Sequence, residues 1–471
     1  MNIYNLYINE EDYPDLNADA AVRHLSEAIQ INTTSYMDTS KIDYQAFDLF
    51  HEKIRQWYPH IMKHGEYKEI DHSVLIRIEG SDPSLKPALF MAHQDVVPIA
   101  EGTLNDWIHG PFSGDIAGGY IWGRGAFDIK EMLIAELESL EYLLAHGKRF
   151  RRTLYLAFGQ DEEVIGSGAI AIAKYLKEQG VELEFVLDEG GRIADGEAYG
   201  AEIAVGSIGM YEKGYADLRL CAESYGGHSS NPFHGTSLQA LAKAITEICD
   251  HPLESALPSS LRETLRILKP YIKKGPLKEM VTDIDANEKQ IIEYYLSQPE
   301  LNPQVHTTIA PTMITKGSDA GNVMPQHMEA VINFRLAPQD SDAKLLEHCR
   351  RLVGPDIQAD FVVANEASRE SRFDTIGFHC LNNVLNHYFR DIVFVPSVNT
   401  TSTDARSYEG ICECCMRFEP FFEDQGIRAK GVHGTNERIS IRAYLQGIRV
   451  LIRMMDETCQ SYVLIKKNYL V

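Results

Sequence analysis

Three consecutive acids, Asp161, Glu162 and Glu163, follow the apolar run TLYLAF in the stretch GQDEEVIGSGA. Like charges on adjacent residues repel one another, and burial would increase that cost. A solvated turn is one explanation for the three acids. The other explanation is that a cation binds at this point and that one of the acids takes part in a reaction.

Two further apolar runs lead into residues of the same chemical type. The run PALFMA is followed by His93 and Asp95, and LEFVL is followed by Asp188. Short apolar runs of this kind predict buried strands, and ligands of open α/β sheets bind outside the carboxyl ends of the strands. We therefore expect these side chains and the three acids after TLYLAF to meet at one edge of a sheet.

Two other segments supply candidate ligands. In WGRGAFDIKEML, Gly123 and Gly125 permit a tight loop before Asp128, which stands at a predicted helix start; in VHGTNERI, His433 precedes the last long helix. Each residue alone has an ordinary explanation, since Asp128 could cap a helix and a lone histidine is often packed in a core. All five segments place such residues at the same kind of position, and this favours a common site.

The candidate residues are typical ligands of a divalent metal. Two histidines with three or four carboxylates suit zinc above all, with cobalt or manganese as alternatives. A pair of metals roughly 3.5–4 Å apart needs one shared carboxylate and two terminal ligands for each ion. The candidates satisfy that count, so the sequence predicts a two-metal site.

The composition limits the class of protein. The 471 residues, 44% of them hydrophobic and 24% charged, are typical of a globular chain of two or three domains. A net charge of −23 argues against nucleic acid or an anionic membrane as a main partner. The opening MNIYNLYINEEDYPD has no secretory pattern, and no apolar run approaches the roughly 18 residues of a membrane span, which predicts a cytoplasmic protein.

Cysteine usage agrees with a reducing compartment. The eight cysteines are expected to be reduced thiols, because the long chain shows no secretory signal. The cluster CECC could indicate a structural zinc site. It lacks the second half of such a motif, so ordinary thiols are favoured there.

The pattern along the chain predicts two domains. Strands that alternate with amphipathic helices predict an α/β fold whose mainly parallel sheet is covered by helices on both faces. From about residue 211, half-exposed strands such as YEKGYADLRLCAE occur beside amphipathic helices, which predicts a separate α+β domain. We therefore expect a discontinuous catalytic domain, 1–210 and 366–471, with an inserted domain, 211–365, called the lid below.

Six motifs occur in an order that resembles a known family: MAHQDVVP, WGRGAFDIK, DEE, LDEGG, GGHSSNP and VHGTNERI. They are similar to the co-catalytic zinc exopeptidases that include aminoacylase, carboxypeptidase G and carboxypeptidase S, over residues 90–440. LDEGG and HGTNERI most resemble the carboxypeptidase S and N-acyl-amino-acid hydrolase branch. The resemblance implies cleavage of an amide bond next to a free carboxylate, with release of an amino acid from a short peptide or an N-acyl amino acid.

Two alternatives to this function remain open. Within enzymes, the alternative is a biosynthetic deacylase of acetylornithine or succinyl-diaminopimelate type. In another class, the chain would be a metal-containing binding protein or an inactive relative. Glu162 argues against the latter, because an inactive protein has no need of a base.

The resemblance also implies a role for each residue of the metal site. Asp95 would hold the second ring nitrogen of His93, Glu162 would be the general base, and Asp161 would support the turn. The implied metal ligands are the bridging Asp128, His93 and Asp188 for one ion, and Glu163 and His433 for the other.

The lid carries the implied substrate contacts. His228 would stabilise the oxyanion, often from a neighbouring subunit, and Asn322 and Arg335 would bind the free carboxylate of the substrate. A guanidinium suits a carboxylate because it donates two parallel hydrogen bonds. The ordinary alternatives are a turn histidine and an arginine paired with an acid on an exposed strand. A loop of the family that lies beside the carboxylate resembles TSTDARSYEG, which contains Asp404 and Arg406.

The expected partners follow from the same resemblance. The substrate is a small peptide or an N-acyl amino acid, with no nucleic acid and no membrane. Lids of this family commonly pair, so a homodimer through the lid is expected. The helical segment 251–300 could instead cover that edge within one chain.

Overall fold

The computed structural model describes residues 6–232, 235–399, 401–422 and 431–460. The strands are β1 (Glu66–Ile70), β2 (Ser73–Ile78), β3 (Ala88–His93), β4 (Ile116–Ala117), β5 (Tyr120–Trp122), β6 (Leu154–Gly159), β7 (Phe185–Asp188), β8 (Arg192–Ala194), β9 (Ala204–Glu212), β10 (Tyr215–Glu223), β11 (Gly227–His228), β12 (Thr308–Ile314), β13 (Val323–Met324), β14 (His327–Arg335), β15 (Ile357–Asn365), β16 (Ile392–Asn399), β17 (Cys415–Arg417) and β18 (Arg438–Ser440). The α-helices are α1 (Ala18–Gln30), α2 (Tyr44–Trp57), α3 (Pro59–His64), α4 (Lys130–Ala145), α5 (Ser167–Glu178), α6 (Ser237–Asp250), α7 (Ser259–Leu268), α8 (Pro276–Met280), α9 (Glu288–Leu296), α10 (Asp342–Val353), α11 (Ile376–Tyr388) and α12 (Ile441–Gln460).

The catalytic domain is built on one sheet with the strand order β1-β2-β6-β3-β7-β17-β9-β16, to which β8 is added beside β9. Strand β3 lies parallel to both β6 and β7, and β17 continues the parallel block next to β7. Every residue of β3 and β6 is buried, as expected for strands covered on both faces. The predicted fold class, α/β with a mainly parallel sheet, is confirmed.

Helices cover both faces of this sheet because its strand residues alternate between two cores. Phe90 of β3 packs into a large core formed with α1, α2, α4, α11 and α12. Its neighbours Leu89 and Met91 point to the other face and pack against Ile172 and Leu176 of α5. This alternation is the two-residue period of a strand, and it fixes the direction in which β3 delivers His93.

The lid is a four-stranded antiparallel sheet in the order β12-β14-β10-β15. Helices α6 and α10 pack on one of its faces through a separate core that includes Leu218, Leu220 and Leu241. In β10, YADLRLCAE, buried residues alternate with more exposed ones, so only one face of the sheet is covered. The expectation of half-exposed strands next to amphipathic helices therefore agrees with the observed sheet.

Helices α7, α8 and α9 fall inside the sequence range predicted for the lid, 211–365, but they pack on the catalytic sheet. Leu261 and Leu265 of α7 share a core with Val205 of β9 and Val395 of β16. On this face of the sheet, α5 covers the half that contains β3, β6 and β7. The other half, β9 and β16, therefore needs a cover of its own. The segment 257–305 therefore belongs physically to the catalytic domain, and it does not cover an edge of the lid sheet.

As a consequence, the chain passes between the two domains four times. The crossings lie between β9 and β10, between α6 and α7, between Val305 and β12, and after β15. A simple insertion would cross only twice. The lid is thus joined to the catalytic domain by four connections, whereas the sequence pattern indicated two.

None of the helices in the described parts of the chain is long and apolar enough to cross a membrane. All eight cysteines carry free thiols. Within CECC, all three cysteines are buried, and the Cys412 thiol accepts a hydrogen bond from the backbone N–H of Cys414 at 3.4 Å.

Candidate metal centre

The carboxyl ends of three neighbouring strands form the site. His93 is the last residue of β3, Gly159 the last of β6 and Asp188 the last of β7. The parallel register places His93 directly beside Gly159. The turn that carries Glu162 and Glu163 therefore begins next to His93, as the positions of these residues after apolar runs predicted.

The first candidate group of metal ligands contains His93, Asp128 and Glu189. The Nε2 atom of His93 lies 3.3 Å from Oδ1 of Asp128 and 3.5 Å from Oε1 of Glu189. The ring is 1% exposed, and its Nδ1 donates to the backbone oxygen of Asp95 at 3.0 Å. Nε2 has no hydrogen-bond partner among the described residues, so its lone pair is available to a cation.

The second candidate group contains Asp128, Glu163 and His433. The Nε2 atom of His433 lies 3.0 Å from Oδ2 of Asp128 and 3.1 Å from Oε2 of Glu163. The two oxygens of Asp128 thus face different histidines, which is the arrangement expected of a bridging carboxylate.

The ligand separations fit a small divalent metal. Ligand atoms of a tetrahedral zinc with bonds of about 2.0–2.1 Å lie about 3.3 Å apart. The four separations in the two groups run from 3.0 to 3.5 Å. In addition, the Oε1 atom of Glu163 is buried and has no hydrogen-bond partner in the part of the chain that the structure describes. The donors present therefore suit a pair of metals that share Asp128.

One predicted ligand lies outside both candidate groups. Asp188 belongs to neither group, because its Oδ1 accepts from the N–H of Glu189 at 2.8 Å and its Oδ2 accepts from the N–H of Ala405 at 2.8 Å. Its neighbour Glu189 reaches His93 instead. Adjacent residues at a strand end point in opposite directions, so a shift of one residue changes which acid enters the site.

Asp95 has a wider role than the predicted support of one ring. Its side chain is fully buried and accepts hydrogen bonds from the backbone N–H groups of Glu162 at 3.0 Å and Glu163 at 3.2 Å. The hydroxyl of Ser35 donates to the same carboxylate at 2.5 Å. One buried residue therefore positions both the first histidine, through its backbone oxygen, and the turn that carries the proposed base, through its carboxylate.

The turn after β6 is held by Asp161, as expected. Its backbone oxygen accepts from Val164, Ile165 and Gly166, while its carboxylate accepts from Ser167 at 2.5 Å and from Gly168 at 2.9 Å. The side chain of Asp161 is used entirely by the turn and points to no reaction. The acids Glu162 and Glu163 remain for the site.

The loop before Asp128 is fixed by residues that the sequence motifs contained without an assigned role. Arg124 donates to Glu437 at 2.5 Å, and the same carboxylate accepts from the N–H of Phe127 at 2.9 Å. A Cβ atom at Gly123 would lie 2.4 Å from the side chain of Ile29, and one at Gly125 would lie 2.7 Å from Val96. The GRG sequence is therefore required by packing, and the acid of TNERI holds it in place.

The electrostatics show how strongly the centre concentrates negative charge. Burial raises the pKa of Glu163, and burial together with the charge of Glu162's neighbour Glu189 raises the pKa of Glu162 well above its usual range. Burial alone would raise the pKa of Asp128, but the nearby rings of His433 and His93 outweigh it and lower that pKa. Hydrogen bonds to Asp128 and Glu163 raise the pKa of His433 to about 10. A bound cation would relieve this repulsion.

In the lid, two predicted residues that are distant in sequence lie side by side. His228 in β11 pairs with Val323 of β13, and the N–H of Ser229 donates to the backbone oxygen of Asn322 at 3.0 Å. His228 is exposed, and its Nδ1 accepts from the N–H of Ser230 at 3.2 Å. The neutral ring therefore carries its proton on Nε2, which makes that atom a hydrogen-bond donor.

Arg335 lies at the other end of the lid. It is the last residue of β14, next to the paired linkers Leu336 and Gly214, and its guanidinium lies 4.8 Å from the ring centre of Tyr215. The nine residues from His327 to Arg335 are eight steps apart end to end, which is about 27 Å in an antiparallel strand. Arg335 therefore does not meet the β11–β13 ribbon beside Asn322 within one lid.

The loop TSTDARSYEG lies behind the metal centre. Asp404 is buried, and a Cβ atom at Gly159 or Gly166 would come within 2.8 Å of its carboxylate. Arg406 instead donates to the backbone oxygen of Glu366 at 2.7 Å, where the chain leaves the lid. Of the two residues, only Asp404 lies against the turn that carries Glu162.

Comparison with known proteins identifies the family. The profile of peptidase family M20/M25/M40 matches residues 89–457. The chain is 32% identical over 460 residues to the probable carboxypeptidase S-like 2 of Dictyostelium discoideum, covering 95% of this chain and 87% of that protein. It is 32% identical over 444 residues to the N-fatty-acyl-amino acid synthase/hydrolase of Mus musculus, covering 92% and 86%.

A solved structure gives the same result for the fold. The M20 family metallo-carboxypeptidase Sso-CP2 from Sulfolobus solfataricus superposes with a TM-score of 0.65 at 19% identity, covering 92% of this chain and 98% of the other. The resemblance drawn from the six motifs is therefore confirmed, including the carboxypeptidase S and N-acyl-amino-acid hydrolase branch. These relatives favour that branch over a biosynthetic deacylase.

Proposed function

The chain belongs to peptidase family M20/M25/M40, and we propose that it hydrolyses an amide bond next to a free carboxylate, releasing an amino acid from a short peptide or an N-acyl amino acid. The observation that carries this proposal is the sharing of Asp128 between two ligand groups, with Glu162 on the adjoining turn. A metal-dependent hydrolase needs both a divalent centre and a base beside it.

The proposed cofactors are two divalent metals, zinc before cobalt or manganese. His93 and Glu189 would hold one ion, Glu163 and His433 the other, and Asp128 both. When bound, such a pair polarises the scissile carbonyl and lowers the pKa of water. The N–H of His93 Nδ1, donated to Asp95, keeps the tautomer whose Nε2 faces the metal.

Glu162 is the proposed general base. It belongs to neither ligand group, so its carboxylate is free to accept a proton from the attacking water. Burial raises its pKa well above the usual range of a carboxyl, and this favours its holding that proton until the leaving nitrogen takes it. Asp95 keeps Glu162 in place through the backbone N–H.

The lid would bind the two ends of the reacting group. The Nε2–H of His228 is a donor suited to the developing oxyanion, and the guanidinium of Arg335 suits the free carboxylate. Because these residues lie at opposite ends of the lid, we propose a homodimer in which the partner supplies its own His228 and Asn322. The strands β12 and β15, which are the edges of the lid sheet in the order above, are available for such pairing.

The proposed location is the cytoplasm. All eight thiols are free, and six of them are buried. Proteins in a reducing compartment usually retain such thiols.

The test combines activity with metal content. The purified protein, before and after prolonged chelation, is offered a panel of dipeptides and N-acyl amino acids with their carboxyl-amidated counterparts. We expect much faster turnover of the free acids than of their amidated counterparts, loss of turnover on chelation, and its recovery with Zn²⁺ or Co²⁺. Asp128→Ala should lower the affinity for both metals, because a bridge serves both. If that variant retained two tightly bound metals, the bridging role would be wrong.

A further inference from the structure

Arg335 is a half-buried cation without an acid partner. Its guanidinium lies over the ring of Tyr215, 4.8 Å from the ring centre. It forms no ion pair with any residue in the part of the chain that the structure describes. An arginine with an acid in reach would ordinarily pair with it, so the unpaired state needs a physical cause.

An acid does lie within reach of Arg335. The register of β10 and β14 pairs Asp217 with Asn333, so Tyr215 lies opposite Arg335 and Asp217 lies diagonal to it. All four side chains project from the face of the lid sheet that the helices leave uncovered, because the residues between them are buried. Diagonal neighbours in a sheet are roughly 7–8 Å apart, a distance that an arginine side chain can span.

Both oxygens of Asp217 are occupied by neutral donors. The hydroxyl of Tyr215 donates to Oδ2 at 2.8 Å, and Nδ2 of Asn333 donates to Oδ1 at 2.8 Å. The hydrogen bond to Asp217 first, with burial after it, raises the pKa of Tyr215, so the hydroxyl keeps its proton and remains the donor. The acid nearest to Arg335 on these two strands is therefore held without using a cation.

Another acid on the same face is held differently. Glu329 lies six residues before Arg335 in β14, which is about 20 Å along the strand. Its Oε1 atom lies 3.1 Å from Nζ of Lys316 and 2.9 Å from Nε2 of His327. Glu329 thus has basic partners, whereas Asp217 has an arginine in reach and is bound by a hydroxyl and an amide instead.

We propose that Tyr215 and Asn333 are positioning residues for substrate specificity: they bind Asp217 and so prevent it from pairing with Arg335, whose guanidinium stays available to the free carboxylate of the substrate. The inference rests on the proposed function, because it concerns the carboxylate that Arg335 would bind. A carboxylate that pairs with Arg335 within the chain would compete with the substrate, and two neutral donors remove that competitor.

The decisive experiment removes one hydroxyl and then the competing charge. Tyr215→Phe keeps a ring beneath the guanidinium and frees Oδ2 of Asp217. We expect KM for a free-acid substrate to rise by up to about fivefold, the effect of a partly exposed ion pair that the substrate must displace, with kcat little changed. KM for the amidated counterpart should hardly change. Adding Asp217→Asn to Tyr215→Phe should return KM for the acid close to the wild-type value.

Two further variants test the same point independently. Asn333→Ala frees Oδ1 of Asp217, so it should also raise KM for the acid, and Asp217→Asn should again reverse the rise. Tyr271→Phe removes the hydroxyl of a tyrosine that is 40% exposed in the segment 257–305, and it should leave KM unchanged. A crystal structure of Tyr215→Phe gives a readout apart from activity: Asp217 should lie at ion-pair distance from Arg335.

The outcomes separate this inference from the function beneath it. A raised KM that persists after Asp217→Asn is added would mean that the hydroxyl of Tyr215 only supports the lid. An unchanged KM in Tyr215→Phe, or an Arg335 that stays unpaired in its crystal structure, would also overturn the positioning role. Each of these results would leave amide hydrolysis standing, whereas a wild type without metal-dependent release from acid or amide would overturn both.

Discussion

The metal centre and the lid hold their functional side chains in opposite ways. Asp95 in the centre is fully buried and accepts hydrogen bonds from Ser35, Glu162 and Glu163. His228 in the lid is exposed, and the hydrogen bonds of its ring run to Ser230, two residues away. The centre is thus organised by the folding of one chain, whereas under the proposed function the lid residues would have their geometry completed by substrate or by a second copy.

The difference has an energetic origin. Several carboxylates are buried in one place, and burial first, with repulsion from neighbouring acids after it, raises the pKa of Glu162 and of Glu189. Such a cluster keeps its form only if the surrounding sheet and loops over-determine it. The lid residues carry no such cost, because solvent screens them, and they need no comparable support.

The largest effect should come from the base. Glu162→Gln should retain both metals and lose at least several hundredfold in kcat, since the amide cannot accept a proton and general base catalysis contributes roughly 10²–10⁴. Metal content and rate are measured on the same sample. Glu182→Gln, on the surface beside Lys86, is the matched control and should behave as wild type. A near-normal rate of Glu162→Gln with both metals bound would remove Glu162 from the mechanism.

The next effect tests whether the lid acts across a dimer. His228→Ala should lower kcat by roughly 10²–10³, the usual loss for an oxyanion donor, on acid and amide substrates alike. If the donor comes from the partner, mixing His228→Ala with Glu162→Gln and allowing subunits to exchange should restore about a quarter of wild-type activity, since half of the dimers are mixed and each has one complete site. No recovery in a sample shown to contain mixed dimers would place His228 in its own chain's site.

A smaller and selective effect is expected at the opposite end of the lid. Arg335→Ala should cost a few kcal/mol in kcat/KM on the free acid, in line with the loss of one partner of a buried charge pair. The amidated substrate never makes this contact, so its slow turnover should hardly change. Arg219→Ala, on the exposed face of β10, is the control. Equal losses on acid and amide would make Arg335 a structural residue.

The same contrast explains what the sequence could predict. The strands β3, β6 and β7 are continuous apolar runs, so their ends, and the meeting of His93 with the acids after β6, follow from the parallel arrangement. The choice between Asp188 and Glu189 does not follow, because both stand at the same strand end and their directions depend on where β7 stops. In the structure, the N–H of Ala405 holds the side chain of Asp188. Ala405 comes from a segment more than 200 residues away, and the sequence does not show where that segment packs.

The position of α7–α9 could not be predicted for a similar reason. An amphipathic helix shows which of its faces is buried, but not which sheet covers it. Leu261 and Leu265 could equally have faced the lid; they pack on Val205 and Val395 because β9 and β16 lack the cover that α5 gives the other strands. The spacing of the motifs does not show that β9 and β16 lack the cover of α5.

The linkers that join the two domains provide the smallest predicted effect. Lys213 follows β9, is 3% exposed, and donates from Nζ to the backbone oxygens of Pro303 at 2.9 Å and His306 at 2.8 Å. It thereby ties the first crossing of the chain to the third. Burial, followed by the charge of Arg335, lowers the pKa of Lys213 to about 8, although Asp340 acts in the opposite direction.

This shift has a definite sign. The unfolded lysine titrates near a pKa of about 10.4, so between pH 8 and that value the unfolded chain binds more protons than the folded chain. The free energy of unfolding therefore rises with pH through this window, and the contribution of Lys213 should be about 2 kcal/mol between pH 8 and 10. Denaturant unfolding is measured across this range for the wild type and for Lys213→Met, whose difference removes the titration of other groups. Parallel pH curves for the two proteins would show that the linkers are open to water, and the lid would then be as loosely held at its base as His228 is at its far end.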